Sequence, residues 1–220
     1  MSRYDRLLQL STFSEDKLKL IQSKRVLLIG VGGVGEYVAT SLITNGIKHL
    51  TIVDFDIVEL SNLNRQILLK EDDVGQLKVE VVKRELLKKN SEAEINALSM
   101  KVDENNIDKL LQDIDVVVDA VDNWNTKLVL GKATAHKVPL LHIGVDGTKG
   151  QYCIFNKKSL LDVFDINIKQ EPRDGVMGPM VGTVASMATL HLINYLVGDA
   201  PGDTLYYFDY IESKLGQTKI

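Results

Sequence analysis

The sequence predicts an α/β fold built on a mostly parallel sheet with an antiparallel C-terminal extension. Three observations carry that prediction. Short apolar runs rich in valine and isoleucine alternate with longer amphipathic stretches from residue 25 onward. A glycine-rich turn follows the first apolar run and opens a helical stretch, which is a Rossmann-like arrangement. After residue 140 the alternation gives way to successive strand-like runs. Strands that alternate with helices imply a parallel sheet covered on both faces.

Arg25 to Val31 reads as a buried strand, and Gly35 to Asn45 as the helix that follows it. Leu50 to Asp56 is a second strand. Gln76 to Asn90 carries Val79, Val82, Leu86 and Leu87 at helical spacing, with its Lys and Glu residues mostly between them. Ile95 to Met100 is a weaker strand, followed by a short helix around Ile107 to Leu111. Ile114 to Val121 is the clearest buried strand, and Trp124 to His136 is the next helix. Pro139 to Gly144 and Gln151 to Phe155 are further strands. Met180 to Val197 is an uncharged helix, and Leu205 to Tyr210 with Lys214 to Ile220 close the chain as a hairpin.

Composition bounds the function. The chain has 220 residues, 45% apolar and 25% charged, which suits a globular protein with a substantial core. Lys and Arg total 26 against 30 Asp and Glu, a net charge of −4 that argues against a general nucleic-acid binder. The only cysteine, Cys153, excludes an internal disulfide and a zinc site of several thiolates. The N-terminus mixes both charges and lacks a long apolar core, so it is no signal peptide, and a cytoplasmic protein is expected. Gly175 to Gly198 is uncharged and long enough to span a bilayer. Gly178-Pro179 interrupts its start, however, and polar residues from Thr183 to Asn194 punctuate it without a flanking basic cluster. A helix buried in the core or in a subunit interface is expected there.

The chemistry starts at Gly30, Gly32, Gly33 and Gly35. Glycines between a strand and a helix permit a tight turn and let backbone N–H groups approach a phosphate. Asp54, 19 residues beyond Gly35, ends the next strand, where a carboxylate accepts hydrogen bonds from ribose hydroxyls. These features indicate an adenine nucleotide and do not separate NAD from ATP. The run after Asp54 does. It contains Asp56, Asn62, Arg65 and Gln66, with Lys78 thirteen residues beyond Arg65. Two fixed cations beside a pyrophosphate suit displacement at phosphorus, where charge develops on the transferring oxygens. Asp122 and Asn123 follow a buried strand at the sheet edge where doubly wound folds bind ligands. A carboxylate facing phosphate oxygens is explained as a Mg²⁺ ligand, since an unneutralised one would repel the substrate.

Together these residues resemble the MoeB/ThiF/HesA family, relatives of the ubiquitin-activating enzymes. The matching pieces are Arg3 to Arg6, the glycine turn, Asp54 to Gln66, Gly75 to Lys78, Asp119 to Asn123, Gly150-Gln151, Gly178 to Gly182 and Tyr207 to Tyr210. The resemblance implies ATP-dependent adenylation of the C-terminal Gly-Gly carboxylate of a small ubiquitin-fold sulfur-carrier protein. It places Gly33 at the phosphates, Asp54 on the ribose, Asn62, Arg65 and Lys78 on the triphosphate, and Asp122 on magnesium. It also implies a homodimer in which Arg6 reaches the neighbouring subunit's ATP. The chain would then be one adenylation domain over residues 1–220: an N-terminal arm and helix (1–24), a nucleotide-binding half (25–145) and a carrier-binding and dimer half (146–220). A tRNA-modifying enzyme of the same family, a dinucleotide-dependent oxidoreductase and a binding-only partner remain as alternatives.

The chain departs from the family where many members carry two CxxC pairs for structural zinc. Neither pair exists here, so no zinc is expected, nor a cysteine that takes the carrier covalently. Cys153 lies in a strand between aromatic neighbours and reads as a buried core residue. His49, His136, His142 and His191 show no metal spacing and read as structural, while Trp124 and Tyr152 fit core or pocket-lining roles equally. The loop from Asn156 to Gly178, with Lys157, Lys158, Lys169, Pro172 and Arg173 among apolar residues, is expected to act as a lid that orders on binding.

Overall fold

In a computed structural model that describes residues 2–165 and 175–220, eight strands form a single sheet. Its strands are β1 (Arg25–Ile29), β2 (His49–Val53), β3 (Glu94–Leu98), β4 (Val116–Asp119), β5 (Leu140–Asp146), β6 (Lys149–Phe155), β7 (Thr204–Asp209) and β8 (Lys214–Lys219). The order across the sheet is β3-β2-β1-β4-β5-β6-β7-β8. β3, β2, β1, β4 and β5 run parallel, and β5 to β8 form an antiparallel meander. Every strand foreseen in the sequence is present, and the parallel-to-antiparallel change falls at β5, next to the foreseen boundary.

The helices are α1 (Asp5–Leu8), α2 (Glu15–Ser23), α3 (Gly33–Thr44), α4 (Lys78–Lys89), α5 (Ile107–Leu110), α6 (Trp124–Thr134) and α7 (Gly178–Leu196). They divide the core into two layers. Val26, Leu28, Leu50, Ile52, Val116 and Val118 point to the face covered by α2, α3, α4 and α7. Their alternate neighbours Leu27, Ile29, Val53 and Val117 meet α5, α6 and the turn at Leu160 on the other face. Burial on both faces is why these strands read as continuous apolar runs.

The uncharged helix α7 lies inside the first of these layers. Val181, Val184, Ala185, Ala188 and Leu192 are buried, and Gly182 sits where a Cβ would lie 2.8 Å from the Tyr37 ring of α3. No helix among the described residues is long and apolar enough to cross a membrane. The sequence predicts a start at Met180, after an interruption by Gly178-Pro179. The helix instead begins at Gly178, because a proline in the first turn gives up only an N–H that has no helical partner there.

Candidate active site

The glycine turn is built by backbone hydrogen bonds to its neighbours on the sheet. Gly30 adopts φ of +90° and donates to the Val53 carbonyl at 2.8 Å. Helix α3 then starts at Gly33, two residues earlier than the sequence predicts, with Gly32 as its N-cap. Its first-turn N–H groups therefore face the ends of the strands, the arrangement that favours an anion. Gly35 has a different task. A Cβ there would lie 2.0 Å from the Gly30 carbonyl oxygen, so this glycine lets the helix close on the turn and does not line the cleft.

A cleft of about 1410 Å³ opens where the strand order reverses between β1 and β4. This crevice beyond the carboxyl ends of the strands is the usual ligand site of an open α/β sheet. Gly30, Gly32, Gly33 and Asp54 line it, as do Asp122 and Asn123 just past the end of β4. Asp54 Oδ2 accepts from the Val31 N–H at 2.8 Å and Oδ1 from the Asp56 N–H at 2.9 Å. The carboxylate thus fixes the glycine turn while lining the cleft.

The segment after β2 folds back over the cleft through the hydrogen bond from Val58 N–H to the Gln76 carbonyl, 2.8 Å. It brings Asp56, Asn62, Arg65, Gln66 and Lys78 to the same cavity. Asn62 is buried and caps the turn Leu60–Asn62 by accepting the Glu59 N–H at 3.1 Å. Arg65 is half-buried and anchored by Nη1 donating to the Ser61 carbonyl and Asn64 Oδ1, at 3.0 and 2.8 Å. Lys78 is buried at the start of α4, and its ammonium donates to Asp56 Oδ2 at 2.8 Å. Asn123 caps α6 by accepting the Thr126 N–H at 2.9 Å. Arg6 is not among the residues lining the cleft, and its Nη1 donates to Gln9 Oε1 at 3.2 Å.

Two buried groups escaped the sequence reading. Glu36, in the first turn of α3, is fully buried and accepts the Leu68 N–H at 2.6 Å. Burial pushes its carboxyl up to about 8, although the Leu68 N–H and the charge of Lys78 oppose this. Asp119, at the end of β4, is fully buried and holds Lys127 at 2.8 Å and His142 Nδ1 at 2.8 Å. Burial alone would raise the Asp119 carboxyl, but Lys127 and the His142 hydrogen bond outweigh it and keep it below the usual carboxylate range. Burial and the Lys127 charge push His142 down, so its ring is neutral at pH 7. The available signal was a carboxylate ending an apolar strand, with a lysine eight residues on.

The other candidates behave as packing residues. Cys153 is fully buried, and burial followed by the charge of Asp203 pushes its thiol up to about 12. Tyr152 stacks on Tyr206 at 5.0 Å, away from the cleft, whereas Trp124 lines the cleft. His49 and His191 pair with Glu94 and the Pro201 carbonyl. Of the expected lid, 166–174 lie outside the described residues, and with them Lys169, Pro172 and Arg173. Its N-terminal flank is anchored, since the N–H groups of Asn156, Lys157 and Lys158 all donate to the Asp203 carboxylate at 3.0 to 3.1 Å. Among the described residues, no three His, Cys, Asp or Glu side chains converge as a metal cage. Asp122 alone would suit magnesium, which takes one or two carboxylates and completes its shell with substrate oxygens and water.

A model of the ThiF family matches residues 4–220. The chain belongs to the ThiF family. Molybdopterin-synthase adenylyltransferase of Escherichia coli (strain K12) is 32% identical over 206 residues, which cover 90% of this chain and 83% of that protein. Sulfur carrier protein ThiS adenylyltransferase of Bacillus subtilis (strain 168) is 29% identical over 226 residues, covering 99% and 67%. The crystal structure of E. coli MccB with ATP superposes with a TM-score of 0.86 at 23% identity, over 100% of this chain and 71% of that one. That last likeness establishes the fold. Within this ThiF-family chain, the candidate site residues Gly30, Gly32, Gly33, Asp54, Asp56, Asn62, Arg65, Gln66, Lys78, Asp122 and Asn123 line one cleft, and Arg6 and Gly35 do not.

Proposed function

We propose that this protein is an ATP-dependent adenylyltransferase acting on the C-terminal Gly-Gly carboxylate of a small ubiquitin-fold sulfur-carrier protein. The observation that carries this reading is the pairing of a buried cation, Lys78, and an anchored one, Arg65, on the cleft that also holds the glycine turn and Asp122. The adenylyltransferase relatives, similar over nine-tenths or more of the chain, support it. On this reading Gly32 leaves room for the phosphates, Gly33 lies beside them and lets Val181 and Arg65 pack close, Asp54 holds the ribose, and Asn62 and Gln66 shape the polyphosphate wall. The substrate carboxylate attacks the α-phosphorus in line, forming a C–O–P bond as the bond to the β-phosphate oxygen breaks and pyrophosphate leaves. No general base is required, because a carboxylate is ionised at pH 7. Arg65 and Lys78 stabilise charge on the transferring and departing oxygens. Asp122 would hold a magnesium ion, which would supply charge neutralisation for the polyphosphate.

The same reading makes 1–220 one adenylation domain, with the nucleotide bound by 25–145 and the carrier and a second copy met by 146–220. Arg6, remote from its own cleft, acts on the ATP of the second copy in a homodimer. The reaction belongs in the cytoplasm, where ATP and carrier meet. Exchange of labelled pyrophosphate into ATP, dependent on a Gly-Gly-ended carrier, tests the reaction. Asp122→Ala and Arg65→Ala are each expected to slow it by about 10²-fold or more; unchanged rates would refute the assignment. Mixing Arg6→Ala with Asp122→Ala restores part of the activity only if Arg6 acts across subunits.

A further inference from the structure

Three buried polar atoms of cleft-lining residues have no hydrogen-bond partner among the described residues: Gln66 Oε1, beside the glycine turn, and His142 Nε2 and Trp124 Nε1, which share an aromatic neighbour. Both rings pack on Phe164, with centroid separations of 5.2 Å for His142 and 6.0 Å for Trp124. Leaving a buried polar group without a partner is destabilising, because its lost hydration is not replaced. A fold that keeps two such groups on one ligand cleft, against one aromatic ring, has them satisfied by what binds there.

The sense of each hydrogen bond is fixed. Asp119 is ionised and accepts only, so the proton on His142 lies on Nδ1, 2.8 Å from Asp119 Oδ2. With the ring neutral, Nε2 presents a lone pair. Lys127 does not fill it, because its ammonium is taken by both Asp119 oxygens, at 3.0 and 2.8 Å, and by the Ile143 carbonyl at 3.1 Å. Phe155 flanks the imidazole at 6.4 Å. Trp124 Nε1 can only donate. The ligand must therefore bring a donor to His142 and an acceptor to Trp124. A carboxylate has no donor, an ammonium has no acceptor, and an apolar group leaves both atoms orphaned. An amide carries one of each in a plane, and its flat face suits the Phe164 ring.

We propose that His142, Trp124 and Phe164 form an amide-binding subsite that seats a peptide group of the tail leading to the adenylated carboxylate. The inference rests on the adenylation reading of the cleft for the identity of that tail. The amide can belong to the tail's backbone or to a side-chain carboxamide, and the experiment separates the two.

Trp124 is the only tryptophan, so intrinsic fluorescence reports on the subsite directly. The full chain, with magnesium and a nonhydrolysable ATP analogue, is titrated with hexapeptides carrying a free C-terminal carboxylate. One ends in Gly-Gly; two carry an ester oxygen in place of the last or the preceding peptide N–H; a further pair ends in Asn or Leu. The Gly-Gly peptide is expected to shift the emission, and one ester to bind about tenfold more weakly, the usual loss for a buried hydrogen bond. His142→Phe should bring the parent peptide to the ester's affinity. A preference for Asn over Leu that disappears in His142→Phe, with the esters indistinguishable from the parent, assigns the amide to a side-chain carboxamide and upholds the subsite. Equal binding of all five peptides, or binding of none, overturns it.

A ¹⁵N-histidine spectrum of the unmutated chain gives an answer if His142→Phe does not fold. The Nε2 resonance should move with the favoured amide and stay put with its ester or Leu counterpart; no movement with any peptide overturns the proposal. Amide discrimination without pyrophosphate exchange would remove the adenylation reading and leave the subsite. Exchange with an intact carrier but no amide discrimination would do the reverse.

Discussion

Lys78 Nζ donates to the Asp56 carboxylate at 2.8 Å, from an ammonium side chain 7% exposed to a carboxylate 47% exposed. The sequence reading assigned both residues to the nucleotide; in the fold they first satisfy each other. A buried cation whose partner faces the cleft is primed to exchange that partner for a phosphate oxygen. Asp56→Asn should therefore lower stability by about 1–3 kcal/mol, the cost of an inadequately paired buried group. ATP should then bind more tightly and raise the melting temperature by more than in the parent. Equal ATP-induced shifts would mean that Asp56 and the triphosphate do not share Lys78.

Glu36 makes stability depend on pH in a defined direction. Its carboxyl lies at about 8 when folded, against an ordinary value of 4.5, chiefly because of burial. Its contribution is fully present below pH 4.5, because both states are then protonated, and is lost as pH rises through 8. Glu36→Gln, neutral throughout, should match the parent near pH 4.5 and exceed it at pH 8 by several kcal/mol, on the order of 4. Urea unfolding at the two pH values measures this, and parallel curves would contradict it.

Two glycines of one motif should respond differently to alanine. At Gly35 a Cβ meets the Gly30 carbonyl oxygen at 2.0 Å, so Gly35→Ala should cost about 3 kcal/mol or more. At Gly32, φ is −77° and the nearest atom to a Cβ is Gln66 Nε2 at 3.7 Å. Gly32→Ala should fold normally, within about 1 kcal/mol of the parent. Its methyl group would occupy the space a phosphate needs, so ATP affinity should fall. Melting curves with and without ATP separate the two effects.

Cys153 should be inert. With the thiol at about 12, roughly one molecule in ten thousand carries a thiolate at pH 8. Iodoacetamide should leave the native chain unmodified and label it fully in denaturant. Rapid native labelling would reopen a covalent role for this cysteine.

The strands were legible because burial on both faces writes them as unbroken Val and Ile runs, as in Val116 to Val118. The glycine turn was legible because its spacing follows from local geometry. Lys78 was not recognisable as buried, since its environment depends on a long segment folding back through the Ile57–Leu77 bridge. The Asp119–His142 pair was hidden for a similar reason. Those residues are neighbours only through the register of β4 against β5, and nothing in either strand alone announces the other. His142 was read as structural, which its bond to Asp119 supports, but its second nitrogen became visible only in three dimensions.

The sheet order has a consequence for synthesis. β1 is flanked by β2 and by β4, and the floor beneath Gly30 is the Ala120 backbone, where a Cβ at Gly30 would lie 2.8 Å from the Ala120 oxygen. The glycine turn leaves the ribosome some ninety residues before the strand that supports it, as the positions of Gly30 and Ala120 show. A nascent chain arrested before β4 has emerged thus carries the glycine signature without the surface that holds it in shape. Nucleotide capture by stalled chains of increasing length should switch on only once the segment through Asn123 is free of the exit tunnel.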